Sequence, residues 1–538
     1  MRISNGFLQV SPLFVRHLHA LYVRSAFDSI AAVRTNMMPY SEGTSSLTRG
    51  GHITGSSIVF SYLRWGRRLV LFPVLIVVLV GVSCKAQDFR SGAVAERFTL
   101  LCANCHGRNL EGSGTGPSLL KNIWLHGGDD ESIARSIREG FPDKGMPAWG
   151  TAIPEREIRA MVIYLRETRA KVLRDQTKVS TPPAAMTAKS QLHDFRLETW
   201  VDGLVEPWSL AFLSPTLAIM TEKRGFLYLI ENGRLAARPI SGLPMIYVNG
   251  QAGLMDVVPH PDYATNGWIY LSYSEQLTKA DGTPAAFTRI IRGKLKDGVL
   301  VEQQTIFQAK LEQYIKADWH FGSRIAFDGH GHVFFSIGER GQNQHAQDLS
   351  LPGGKIHRLH DDGRIPSDNP FVGDPTAVAS IWSYGHRNPQ GLAFSPATSE
   401  LFNSEHGPRG GDELNLVRRG LNYGWPVITY GMNYDGTTMT ELTAKEGMEQ
   451  PIAYWVPSLA TCGINFYTGD LFPKWKNQLF LASLAAEQFL RIEITNGKVI
   501  TQEILFKDLG RIRHVITGPD GALYVLLPKR IVRLTPAS

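Results

Sequence analysis

The chain has 538 residues, of which 43% are hydrophobic, 20% charged and 10% aromatic, which excludes a disordered, collagen-like or small disulfide-stapled protein. Its net charge of +7 is concentrated at the N terminus, where residues 1–83 hold 8 Arg and no Lys against Asp28 and Glu42. The remainder is close to neutral, so no nucleic-acid partner is expected.

The apolar run at residues 69–82 (LVLFPVLIVVLVGV) follows Arg64, Arg67 and Arg68. A basic flank before a stretch of that length is the pattern of a secretory leader and is short for a membrane span. Three readings stay open: lipidation at Cys84, cleavage after Ala86, or retention as an N-terminal membrane anchor. All three export the rest of the chain, so a periplasmic or exported protein is expected. An earlier-than-needed start is also open, since Met37 and Met38 lie upstream of the leader. Only Cys84, Cys102, Cys105 and Cys462 occur, too few for a disulfide framework.

Residues 102–106 read Cys-Ala-Asn-Cys-His, the attachment signature of a c-type haem. Two thiols three positions apart add to the two vinyl groups of the porphyrin, and His106 ligates the iron. A thioredoxin-like pair would need a βαβ surround, and a zinc site a second Cys pair. Met146, in Lys-Gly-Met-Pro-Ala-Trp, resembles the Met loop of class I cytochromes c and supplies the second axial ligand in that reading. Helices are expected over 93–101, 129–139 and 154–172, with acidic residues or Pro at their starts. Residues 88–172 therefore read as a small α-helical cytochrome c domain behind a leader over 1–87. Residues 173–193 are polar and contain Pro-Pro, the composition of a semi-stiff linker.

From residue 194 to 538 the pattern turns to short β-rich runs between turns, in keeping with 52 Gly and 30 Pro. An apolar run recurs near Leu217, Trp268, Val333, Leu401, Leu479 and Leu523. Six recurrences with room for four strands each predict an all-β six-bladed β-propeller.

Several strings in this region resemble the soluble quinoprotein sugar dehydrogenases of the glucose/sorbosone type, which use pyrroloquinoline quinone (PQQ). They are PWSLAF at 207–212, GQAGLMD at 250–256, HFGSR at 320–324, GHRNPQGLAF at 385–394, SEHGP at 404–408, NYGWP at 422–426 and RIRHVITGPDG at 511–521. The resemblance runs across nearly all of 195–535 and implies the same propeller fold.

It also implies roles. Oxidising an aldose at its anomeric carbon removes a hydroxyl proton while hydride leaves, so a base is needed, and His320 stands at the family's base position. Arg387 would stabilise negative charge on the quinone oxygen. Gln251 and Trp319 would contact the sugar. PQQ carries three carboxylates, and Arg511, Arg513 and Asn388 would hold it; the two arginines, two apart on an expected strand, would face one side. The backbone carbonyls of Gly407 and Pro408 match the family's donors to calcium. Asp412 and Glu413 are candidates for a second, structural calcium.

Three positions depart from the family: Ala485 where a Lys contacts PQQ, Trp319 before the base, and His406 in place of a Gln. The expected protein is an exported oxidoreductase that passes electrons from an aldose through PQQ to its own c-type haem. An external cytochrome or respiratory chain would then reoxidise the haem. Two rivals are a non-catalytic carbohydrate-binding propeller and a calcium-dependent propeller lactonase.

Overall fold

The computed structural model describes residues 92–113, 116–177 and 185–537. The leader, Cys84 and the apolar run lie outside these residues. Among them, no helix is long and apolar enough to cross a membrane.

The first part is helical: α1 (Gly92–Leu101), α2 (Ala103–His106), α3 (Asp130–Glu139) and α4 (Glu155–Thr177). Helix α3 begins where Asp129, in extended backbone, accepts a hydrogen bond from the Ser132 amide at 2.8 Å, satisfying one of the free N–H groups of the first turn. Helix α4 turns Ile158, Met161, Val162 and Leu165 inward, against Phe98 of α1 and Ile133 and Ile137 of α3. The helix runs past the expected end at 172 to Thr177, because nothing before Pro182 interrupts it and Val172 and Leu173 are half-buried.

The remainder folds into six antiparallel sheets. Their innermost strands are β3 (Pro207–Phe212), β7 (Leu254–Pro259), β11 (Ile325–Phe327), β15 (Pro389–Phe394), β19 (Thr461–Phe466) and β23 (His514–Thr517). Each touches the next and β23 touches β3, so the ring closes. The six recurrent runs of the sequence are the second strands of the six blades: β4 (Leu217–Glu222), β8 (Trp268–Thr278), β12 (His332–Ile337), β16 (Leu401–Glu405), β20 (Leu479–Ser483) and β24 (Leu523–Leu526).

Cores form between neighbouring blades, as where Ile219 and Leu227 meet Leu254 and Leu271, or Phe480 and Phe489 meet Leu523 and Leu534. The last blade joins both ends of the domain. Strand β2 (Phe195–Val201) pairs antiparallel with β25 (Ile531–Pro536), Leu197 opposite Leu534. Strand β1 (Ala185–Ala188) then adds to the outside of that blade. It lies within the stretch expected as linker, and it is ordered there because Met186 and Ala188 pack on the blade's core. The longest gap between recurrences, from Leu401 to Leu479, contains an excursion between β17 (Asp412–Val417) and β18 (Ala453–Trp455).

Candidate active site

First and second strands of a blade run in opposite directions, so residues just before a first strand and just after a second one share a face of the ring. Gln251, His320, Arg387, Asn388, Arg511 and Arg513 precede first strands. Glu339, His406, Gly407 and Ala485 follow second strands. All of these residues therefore gather at one mouth of the propeller.

His320 is buried there with φ +58°, a left-handed conformation that a non-glycine residue keeps only when its surroundings enforce it. Its Nδ1 lies 2.7 and 2.8 Å from the two carboxylate oxygens of Glu339, and its amide donates to Gln251 Oε1 at 2.8 Å. The buried guanidinium of Arg340 stacks 3.4 Å over Phe321 and donates to the carbonyls of Trp319 and Ala317. Gly338 leaves the loop room: a Cβ there would sit 2.3 Å from the His320 carbonyl oxygen.

Burial, then the charge of Arg387, lowers the His320 pKa against the opposing pull of Glu339. Burial would raise the Glu339 carboxyl, but the hydrogen bond from His320 and the charges of His320 and Arg387 hold it low. An ionised Glu339 fixes the hydrogen on Nδ1, leaving the Nε2 lone pair as the base.

Arg387 donates through Nη1 to the carbonyl oxygens of Gly407 at 2.7 Å and His406 at 3.2 Å. Asn388 Oδ1 accepts from the Gly322 amide at 3.1 Å, and its Nδ2 lies 3.5 Å from His406 Nδ1. Arg513 donates to Gln390 Oε1 at 3.1 Å. Arg511 and Arg513 stand in the loop entering β23, not on a strand as expected. Between them Ile512 is buried, while Arg511 is exposed and Arg513 half-buried. His406 is held neutral by burial and then by the charges of Arg387, Arg513, His320 and Arg511. Trp319 is 50% exposed, and Gln251 is exposed.

His406 Nε2 and Arg387 Nε are buried and have no hydrogen-bond partner within the protein. Orphaned donors among three arginines call for an oxygen-rich anion, and PQQ with its three carboxylates fits that demand. The Gly407 carbonyl, beside Arg387 at this mouth, is the hard kind of donor that calcium prefers, and Pro408 offers the next one along the loop, so the two fit the cation.

Asp412 and Glu413 do not converge on one point. Asp412 and Glu413 are neighbours on β17, so their side chains leave opposite faces. Asp412 spends its oxygens on the Gly407 amide at 2.8 Å and on Ser458 Oγ at 2.9 Å. Burial lifts its pKa to about 6. Glu413 turns to Asn415 at 3.1 Å, and its carboxyl is pushed up by burial and the charge of Glu405. Among the described residues, no group of three or more His, Cys, Asp or Glu could hold a metal ion.

In the helical domain Cys102 stands at the N-cap of α2 and Cys105 lies within that helix, three residues on. Burial, reinforced by Cys105, pushes the Cys102 thiol up to about 11, opposite to the lowered thiol of a redox-active pair. His106 Nδ1 lies 3.0 Å from the Pro117 carbonyl, which fixes the ring and leaves Nε2 for iron. Met146 sits on a loop closed by paired backbone hydrogen bonds with Phe141, at 2.8 and 3.1 Å. This donor set fits a covalently attached haem.

Glu339, Arg340 and Pro117 were not singled out by the sequence. The one signal was that Glu339 and Arg340 lie between Gly338 and Gly341 at the end of an apolar run.

Similarity to known proteins gives the class. Residues 204–534 match the family described as glucose/sorbosone dehydrogenase, and residues 92–165 match that described as cytochrome c oxidase, cbb3-type, subunit III. The chain belongs to the glucose/sorbosone dehydrogenase family and carries an N-terminal c-type cytochrome domain; it is an oxidoreductase.

It is similar to the aldose sugar dehydrogenase YliI of Escherichia coli (strain K12), 43% identical over 336 residues, 61% of this chain and 89% of the relative. The apo crystal structure of the soluble E. coli aldose sugar dehydrogenase is 40% identical with a TM-score of 0.60, covering 64% of this chain and 100% of that one. The PQQ-bound aldose sugar dehydrogenase of Streptomyces coelicolor is 26% identical with a TM-score of 0.53, covering 66% and 99%.

Proposed function

We propose that the chain oxidises an aldose at its anomeric carbon to the lactone, with PQQ and calcium in the propeller mouth, and passes the electrons to its own haem. The carrying observation is the buried His320–Glu339 pair beside Arg387, in a mouth ringed by arginines, on a chain with its own haem-attachment motif. Family membership sets aside the binding-module and lactonase rivals, neither of which is a redox enzyme or has use for a haem.

When bound, PQQ would supply a quinone that accepts the two electrons of the sugar as a hydride. His320 takes the sugar hydroxyl proton at Nε2, and Glu339 keeps the ring oriented and balances the charge that forms on it. The fixed cation of Arg387 stabilises the negative oxygen that develops nearby. Gln251, whose Oε1 is held by the His320 amide, has its Nε2 left to donate to the sugar, and Trp319 offers an exposed ring face. Asn388, His406, Arg511 and Arg513 hold the carboxylates, and the carbonyls of Gly407 and Pro408 hold calcium. Cys102 and Cys105 would attach the haem and His106 and Met146 would ligate its iron, and the haem would supply a one-electron acceptor on the same chain.

The leader and the c-type haem support export, with an external cytochrome or respiratory chain as the final acceptor. The test is haem reduction, followed by absorbance, when aldoses are added to oxidised protein loaded with PQQ and calcium. Reduction that depends on sugar and is lost in His320→Ala supports the reading. Haem that stays oxidised with every sugar, and no PQQ binding, overturns it.

A further inference from the structure

The haem domain is seated on the propeller through the back of α4. Its inward stripe, Ile158, Met161, Val162 and Leu165, fills the cytochrome core. The opposite stripe meets the propeller: the Arg156 carbonyl accepts from Thr438 Oγ1 at 3.0 Å, Arg159 donates to the Thr429 carbonyl, and Glu167 pairs with Arg409 at 2.5 Å. Further along the helix, Arg174 donates to the Ala485 carbonyl at 2.8 Å, on the next blade.

This seat lies directly behind the carbonyl loop of the cofactor site. Arg409 follows Gly407 and Pro408, and its side chain is only 7% exposed in the ion pair. Its amide and carbonyl bond the carbonyl and amide of Met432, at 3.0 and 3.1 Å. Met432 itself is buried within the cytochrome core. A Cβ on Gly410 would lie 3.5 Å from Ile163 Cγ2. The loop is thus held at Arg409, by a side chain of the haem domain and by the backbone of a residue packed in its core, while Gly410 beside it passes close to α4.

We propose that the cytochrome domain is a clamp on the calcium-binding loop: Glu167, through Arg409, fixes the direction of the Gly407 and Pro408 carbonyls, so that haem-domain docking and cofactor binding strengthen each other. The pair gives the contact its force, because Arg409 is buried and losing Glu167 leaves its charge without that partner. The loop carries that effect over one or two residues of backbone. Coupling of this kind is reciprocal, so whatever docking adds to calcium affinity, calcium and PQQ add to docking. Glu167 and Arg409 are positioning residues, and this inference rests on the calcium and PQQ site proposed above.

The test uses the full chain with haem attached. Calcium is titrated into protein with saturating PQQ, and binding is read from PQQ absorbance, without substrate. Glu167→Gln should weaken calcium binding by about tenfold, with the haem spectrum unchanged. Exchanging the charges in Glu167→Arg with Arg409→Glu should recover most of that loss. In wild type, PQQ and calcium together should slow hydrogen exchange along α4, and in Glu167→Gln they should not.

Equal calcium affinity in wild type and Glu167→Gln, or α4 exchange indifferent to the cofactors, would overturn the clamp while leaving the dehydrogenase reading intact. A wild-type chain that binds no PQQ would overturn that reading and the clamp together.

Discussion

The two domains build their sites in opposite ways. The cytochrome draws both candidate attachment thiols and the candidate histidine ligand from five consecutive residues, 102–106, and among the described residues the Pro117 carbonyl orients His106. The propeller assembles its mouth from Gln251, His320, Glu339, Arg387, His406 and Arg513, each on a different loop beside a different strand. A covalently attached group is held mainly by a local motif, with one further ligand, Met146, brought in from a loop. A site that must place a base, an anion cradle and a cation together needs a rigid ring to bring distant loops to one face.

That contrast gives the largest effects. Changing both Cys102 and Cys105 to Ser should abolish covalent haem, seen as loss of haem staining on denaturing gels, while sugar oxidation measured with a soluble dye continues. His320→Ala should do the reverse: haem is retained, and kcat with dye and haem alike falls roughly 10²–10⁴-fold. If the dye reaction failed with the cysteines, the two sites would not be separable in this way.

Glu339→Gln acts on the propeller alone and should lower kcat by about 10²-fold. The pH profile carries the sharper information. His320 must be neutral to accept a proton, and burial with the charge of Arg387 lowers its pKa. In wild type, kcat/KM should therefore rise with pH and level off below the ordinary histidine range. Glu339 is the group that pulls this pKa upward, so its loss should move the acid limb lower still. A limb that moves to higher pH would show that Glu339 does not face the base.

Gly338→Ala should give a smaller loss. Its Cβ would fall 2.3 Å from the His320 carbonyl and 2.9 Å from Asn388 Oδ1. Relieving that overlap should cost about 1–3 kcal/mol of stability and shift the base, which thermal melting and kcat report separately.

How much of this was legible in the chain divides along the same line. The haem motif could be read directly because the chemistry is local, and the six second strands stood out because each is an apolar run. His320, Arg387 and Asn388 were reached through resemblance. Glu339 was not, because its meaning arises only when β12 ends beside the loop of His320, 19 residues away in sequence. Asp412 and Glu413 face apart because adjacency in sequence is opposition on a strand. The tether expected over 173–193 is partly helix and partly β1, since both ends find apolar surfaces on which to pack. The long gap before Leu479 looked like irregular spacing; it is the excursion whose Thr429, Met432 and Thr438 meet the haem domain.

The smallest effect concerns Ala485, where the family has a Lys. Losing a cation from an anion cradle ordinarily costs about 1–3 kcal/mol, and restoring it should return that much. At this rim, however, Arg174 of the haem domain already reaches the Ala485 carbonyl at 2.8 Å. A new ammonium would enter beside an existing guanidinium, adding like-charge repulsion to any gain at an exposed position where charges are well screened. Ala485→Lys should therefore change PQQ affinity by less than about threefold, under ~0.7 kcal/mol, in an absorbance titration at fixed calcium. Pairing it with Arg174→Ala separates the causes. If the lysine then tightens binding by about tenfold, the two side chains serve the same position, and the propeller has ceded part of its rim to the cytochrome. If Ala485→Lys alone tightens binding tenfold, Arg174 contributes nothing to the cradle and the two domains meet there only by packing.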